Sequence, residues 1–134
     1  MSTGRRGSRR VPVVIDPGVW REEVERLTPR SSARVAAERE RRRLESDGIG
    51  EELLERCDAQ GRDGTRLAGL LKAYVPLRRA PASERPFGFV FRPGRQQGVS
   101  AVYLAAFGER HPRSGTRSVY ERAHKRLHGR YPDQ

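Results

Sequence analysis

Apolar residues recur at helical spacing in the first half of this chain and alternate with polar ones in the second, with the change near Gly64. The β-branched run Val11 to Ile15 reads as a first strand. Asp16-Pro17 then supplies a helix start, an N-cap acid with proline at the first helical position. Trp20, Val24 and Leu27 form one apolar stripe on a helix that stops near Thr28-Pro29. Ser31 or Ser32 caps a second helix through Ser46, with Ala33, Val35, Ala36, Ala37 and Leu44 as its apolar side. Its ERERRR run is a solvated face with intrahelical pairs. Ile49, Leu53, Leu54 and Cys57 form another short amphipathic segment, followed by the polar loop DAQGRDG.

After Gly64 the period is that of a sheet. Leu70 to Val75 reads as a strand stopped by Pro76, and LRRAPASERP as a turn-rich connection. Phe87-Gly-Phe-Val-Phe91 alternates strictly and puts three phenylalanines on one face. PGRQQG is the expected hairpin turn, Val99 to Phe107 the next strand, GERHPRSGTRS a loop, and Val119 to His128 a helix with Val119, Ala123 and Leu127 on one stripe. The expected fold is α+β: a small antiparallel sheet of about four strands, two or three N-terminal helices on one face, and a C-terminal helix. The helices cover the face to which Phe87, Phe89 and Phe91 point. The other face, with Lys72, Tyr74, Arg92 and Tyr103, is expected to stay open.

Length sets a limit of one domain and a single modest core, placed over residues 11–131 between a disordered basic tail at 1–10 and a disordered end at 132–134. Charge is distributed unevenly. Residues 67–134 carry 13 Lys/Arg against 4 Asp/Glu, whereas residues 11–66 carry 11 against 13. Clustered cations on a sheet half are suited to a polyanion, and RNA is the expected partner because counterion release rewards such clusters. A sheet face carrying cations and tyrosines is also a base-stacking platform.

The single cysteine, Cys57, excludes an internal disulfide framework and is expected to fill a small apolar space on a helix. His124 and His128 lie one helical turn apart, but spacing places no third ligand, so no metal is expected there. The sequence carries no phosphate-binding glycine loop and no nucleophile elbow, and no cofactor is expected. No apolar run is long enough to span a bilayer, and VPVVI is too brief for a signal-peptide core. No membrane partner and a cytoplasmic location are expected.

Four segments together resemble the RelE/ParE superfamily of bacterial toxin–antitoxin toxins. LLKAYV looks like the family's second strand, FGFVF its aromatic third strand, and VYLAAFGER its fourth strand with a glycine-basic end. SVYERAHKRL is similar to the terminal VYxxAxxRL helix. The resemblance implies metal-independent endonucleolytic cleavage of messenger RNA, on the ribosome in some members, and neutralisation by a cognate antitoxin. Carried over by motif, it implies catalytic roles for Lys72 on the second strand, Arg110 after the fourth and Tyr120 on the terminal helix. Tyr74, Arg78, Arg79, Arg92, Arg95, Tyr103, Arg113 and Lys125 are the expected nucleic-acid contacts.

The chain departs from the family at two positions. Gly88 stands where the third strand normally has an arginine, and Tyr74 replaces a second basic residue. Arg78, Arg79, Arg85 or Arg92 lies close enough in sequence to supply the missing charge. The plainer readings put Arg110 in a pair with Glu109 or Glu121 and pack Tyr120 against Trp20. The alternative functions are a non-enzymatic toxin of the same fold, of the gyrase-poisoning type, and an RNA- or DNA-binding protein with no toxin role.

Overall fold

The computed structural model describes residues 9–61, 63–113 and 115–134. Its elements are β1 (Arg10–Val11), β2 (Val13–Val14), α1 (Pro17–Trp20) continued by a π-helical turn (Arg21–Glu25), α2 (Ser32–Asp47), β3 (Ile49–Gly50), β4 (Glu55–Arg56), β5 (Leu71–Val75), β6 (Phe87–Gln96), β7 (Val99–Glu109) and α3 (Val119–His128). The fold is α+β. Its main sheet has five strands in the order β2-β7-β6-β5-β4. The sheet is mixed rather than purely antiparallel, because β2 runs parallel to β7 while the other pairs are antiparallel.

The expected first strand is divided at Pro12, which has no N–H to give to a ladder. Its first half, β1, pairs with β3 in a separate two-stranded sheet, and its second half joins β7. Arg10 thus belongs to the fold, and its guanidinium donates to the carbonyls of Asp47 and Gly48 at the end of α2, each at 3.2 Å. Residues 1–8 of the expected tail lie outside the described residues. The segment expected to be amphipathic at 49–57 is not a helix. It forms β3, a 3₁₀ turn (Glu51–Leu53) and β4, and Cys57 is buried in the connection that follows.

The helix starts follow their caps. Asp16 accepts from the Val19 N–H at 3.1 Å with Pro17 in the first turn, and Ser31 accepts from Arg34 N–H at 3.2 Å. At α3, Ser118 and Glu121 form a reciprocal capping box. On α2 the inward row is Ala33, Ala37, Glu40 and Leu44, while Val35 is exposed. Sparse alanines leave room for the Glu40 carboxylate, which accepts from Leu77 N–H at 3.3 Å.

Strands β6 and β7 run through PGRQ, and only Gln97 and Gly98 turn, with φ of 52° and 79°. Both central residues sit in the left-handed region, as a two-residue hairpin of primed type requires. A bulge interrupts the ladder where Val90 pairs with Ala106 but Phe91 pairs with Leu104. The bulge keeps Phe89, Phe91, Leu104 and Phe107 in one core cluster with Trp20, Val24, Ala37 and Leu44, beneath the N-terminal helices.

The opposite face is only partly open, at Lys72, Tyr74, Arg92 and Tyr103. Its residues Leu70, Val90 and Ala106 lie in a second cluster with Cys57, Leu67, and Val119 and Ala123 of α3. Two cores therefore sandwich the sheet, and Leu127, expected on the buried stripe, is 48% exposed past its edge. Glu23 fastens the layers together. Its buried carboxylate accepts from Phe107 N–H at 3.1 Å, from Arg122 at 2.9 and 3.0 Å, and from Arg126 at 2.9 Å. Arg126 also donates to the Ala105 carbonyl at the bulge, and Arg26 to the Phe107 carbonyl at 3.1 Å. Side chains thus satisfy part of the β7 edge that the two-residue β2 leaves uncovered.

Candidate nucleic-acid interface and catalytic cleft

The register of the sheet creates the floor of a cleft. Tyr74 on β5 stands opposite Gly88 on β6, which in turn stands opposite Gly108 on β7. Two neighbouring positions thus lack side chains beside one aromatic ring. Arg110 and α3 fill that space. A Cβ on Gly88 would sit 3.5 Å from Arg110 Cγ, and one on Gly108 would sit 3.7 Å from the backbone of Val119. A side chain at position 88 would start in van der Waals contact with the stem of Arg110.

Lys72 and Tyr74 of β5, Arg110 just after β7 and Tyr120 of α3 line one cavity of about 670 Å³. Arg113 lines it as well, as does His111, which the sequence reading did not select. The only sequence signal for His111 is its place directly after Arg110 in the loop. Arg110 lies over the Tyr74 ring, with Cζ 3.7 Å from the centroid. The Lys72 ammonium is 5.5 Å from the Tyr120 ring and 5.7 Å from the Tyr74 ring. Neither plainer alternative describes Arg110 or Tyr120. Arg110 donates to the carbonyls of Ala82 (3.3 Å) and Arg85 (2.9 Å), and Tyr120 packs with the second core, away from Trp20. Trp20 instead lies under the Arg41 guanidinium, at 4.5 Å.

Burial disfavours the Lys72 ammonium, but the adjacent Tyr120 and Tyr74 phenols outweigh it and leave the amine above its ordinary value. Lys72 is therefore a cation at neutral pH and a poor proton acceptor. Burial also pushes the Tyr120 phenol up, against the pull of Arg110 and Lys72. Tyr120 is thus a protonated phenol, able to donate a hydrogen bond or a proton. The Cys57 thiol, pushed to about 11 by burial, stays protonated and serves packing.

The remaining expected contacts are scattered. Arg92 stacks over Tyr103 at 4.5 Å, and both line a separate, largely apolar cavity with Leu104, Ala105 and Leu127. Arg95 closes the hairpin tip through the Gly98 carbonyl at 2.8 Å. Arg78 pairs with Glu84 at 3.5 Å. Lys125 lies 4.8 Å from the Tyr131 ring on the outer side of α3. Arg79 lines a smaller cavity of about 300 Å³ beyond Tyr74.

His124 and His128 are both engaged with one residue. His124 Nδ1 accepts from the Arg66 N–H at 3.0 Å, and His128 Nε2 lies 2.9 Å from the Arg66 carbonyl. Among the described residues no group of three or more His, Cys, Asp or Glu could hold a metal ion. Among them, too, no helix is long and apolar enough to cross a membrane. No protein-family model matches the chain, and neither curated proteins nor solved structures give a significant match.

Proposed function

We propose that this protein is a RelE/ParE-like toxin that arrests growth by cutting messenger RNA without a metal, with a cognate antitoxin as its neutralising partner. The observation that carries this reading is the convergence of Lys72, Tyr74, Arg110 and Tyr120 on one cavity. The reaction needs little from the protein, because the nucleophile is the RNA's own 2′-hydroxyl. The oxygen attacks the adjacent phosphorus, the bond to the 5′-oxygen breaks, and a 2′,3′-cyclic phosphate is left. A base must take the 2′-proton, an acid must give one to the departing 5′-oxygen, and cations must hold the charge that builds on the phosphate.

Arg110 and Lys72 are the cations. Tyr120 is the proton donor at the leaving oxygen. His111 is the proton acceptor, since its imidazole brings a nitrogen lone pair to the same cavity. The test is induced expression of this protein followed by mapping of transcript ends, with any small gene found beside its own co-expressed as a candidate antitoxin. Growth arrest with new internal 5′-hydroxyl ends supports the reading, and arrest with intact transcripts refutes it.

One observation favours a second reading, a toxin that acts by binding protein. Gly88 is buried and has no side chain where the resemblance implies an arginine. Arrest that persists in an Arg110→Ala, Tyr120→Phe double variant would select that reading.

A further inference from the structure

We propose that Arg85 is the second phosphate-binding guanidinium of this cleft, acting with Arg110 at the Tyr74 ring on one phosphodiester of a single-stranded RNA. This deepens the reading above and rests on it for the identity of the ligand. Arg85 Cζ is 5.1 Å and Arg110 Cζ 3.7 Å from the same Tyr74 centroid. Neither guanidinium has a carboxylate partner among the described residues. The Nε of each is buried and has no hydrogen-bond partner. Among the described residues, Arg110 donates to the carbonyls of Ala82 and Arg85, and Arg85 donates to that of Arg78 at 3.4 Å.

Two like charges beside one ring repel, and the repulsion is stronger where burial reduces screening. A phosphate oxyanion relieves that repulsion, because the terminal N–H groups of planar guanidinium forks match its oxygens and the forks remain charged at any working pH. The hydrogen bond from Arg110 to the Arg85 carbonyl sets the spacing of the pair without a carboxylate.

Of the four arginines that could replace the missing charge at Gly88, Arg85 is the one placed to do so. Arg78 is paired with Glu84, Arg92 is stacked on Tyr103 in another cavity, and Arg79 is exposed and not stacked on Tyr74. Tyr74 is the common wall of the two cavities, with Arg110 lining the larger and Arg85 the smaller. A strand passing over Tyr74 from one to the other carries a phosphate between the two guanidiniums.

The test is binding of an uncleavable strand, a short 2′-O-methyl RNA, across a series of salt concentrations. Wild type is compared with Arg85→Ala, Arg85→Gln, Arg85→Lys, Arg110→Ala and the exposed helix variant Arg39→Ala. Each lost phosphate contact makes the log–log salt dependence shallower by about 0.7 for a single strand. That loss is expected in Arg85→Ala, Arg85→Gln and Arg110→Ala, with the wild-type slope kept in Arg85→Lys and Arg39→Ala. If Arg85→Gln folds and keeps the full slope while Arg110→Ala loses it, Arg85 merely packs on Tyr74 and the proposal is overturned. The expected slopes without any cleavage of ordinary RNA would keep the phosphate pair and refute the endonuclease. A wild type that does not bind the strand would remove both.

Discussion

The Arg110 guanidinium lies 3.7 Å over the ring of Tyr74, and the stem of Arg110 runs past Gly88, the residue that stands opposite Tyr74 in the sheet. Tyr74 stands where the resemblance implies a basic residue, and Gly88 where it implies an arginine. The contact makes the two departures one arrangement. The ring gives the arginine a surface to lie on, and the glycine gives its stem a path. Positive charge thus reaches the cleft from just after β7 rather than from the start of β6.

The first prediction follows for the two residues in the proposed roles of charge holder and proton donor. Arg110→Ala and Tyr120→Phe should each relieve growth arrest and lower cleavage, with antitoxin binding and the folded circular dichroism spectrum retained. Because groups of one site act as a unit, the double variant should be little slower than the worse single one. Additive losses in cleavage rate would show that the two do not act together.

His111 offers a separate check. General acid–base groups contribute about 10²–10⁴-fold to rate, so His111→Ala should reduce cleavage within that range while RNA affinity changes little. An unchanged cleavage rate would assign the proton acceptor elsewhere.

The core makes the third prediction. Phe89 is fully buried, and its ring centroid lies 5.0 Å from that of Phe107 and 5.9 Å from that of Phe91. Phe89→Ala should cost about 3–5 kcal/mol in denaturant unfolding, since the cavity lies between a sheet and helices that cannot both close in. A loss below about 1 kcal/mol would mean that the site collapses or is poorly packed.

The aromatic alternation at Phe87 to Phe91 made the hairpin and its buried face legible, and Asp16-Pro17 and the Ser31-Ser32 pair made two helix starts legible. What local pattern could not supply was long-range. Val13–Val14 is too short to announce a parallel partner nearly ninety residues away. The bulge depends on pairing, not on composition. Whether α3 would cover the second face turned on contacts between Val119 or Ala123 and the sheet, which periodicity alone does not reveal. For the site, strand order and motif brought Lys72, Arg110 and Tyr120 together. Arg92 and Tyr103 share the strand pattern, yet they line a different cavity beside α3.

Glu23 carries the fourth prediction. Its carboxylate is buried and holds Arg122, Arg126 and the Phe107 N–H at once, so it joins the π-helical turn, β7 and α3. Glu23→Ala leaves two arginines facing an emptied, partly buried space, and breaking such a pair typically costs about 3–5 kcal/mol. Loss of α3 docking should then appear as faster amide exchange in residues 119–128. A stable Glu23→Ala protein with unchanged exchange there would show that α3 is held by its apolar contacts alone.

The last prediction concerns pH. His124 is buried, its Nδ1 accepts from the Arg66 N–H, and its pKa is held below the ordinary 6.5 by burial, with His128, Arg66 and Arg130 adding to the effect. The folded protein therefore binds this proton less readily than the unfolded chain does. Its contribution is fully present above the unfolded value and is lost as pH falls from about 6.5 through the lowered folded value. Protonation also removes the lone pair that Arg66 uses, so the loop before β5 and the middle of α3 should loosen together. Denaturant midpoints measured between pH 7.5 and 5 should fall for the wild type and fall less for His124→Gln, whose amide oxygen can accept without titrating. Equal slopes in both proteins would place the titrating group elsewhere.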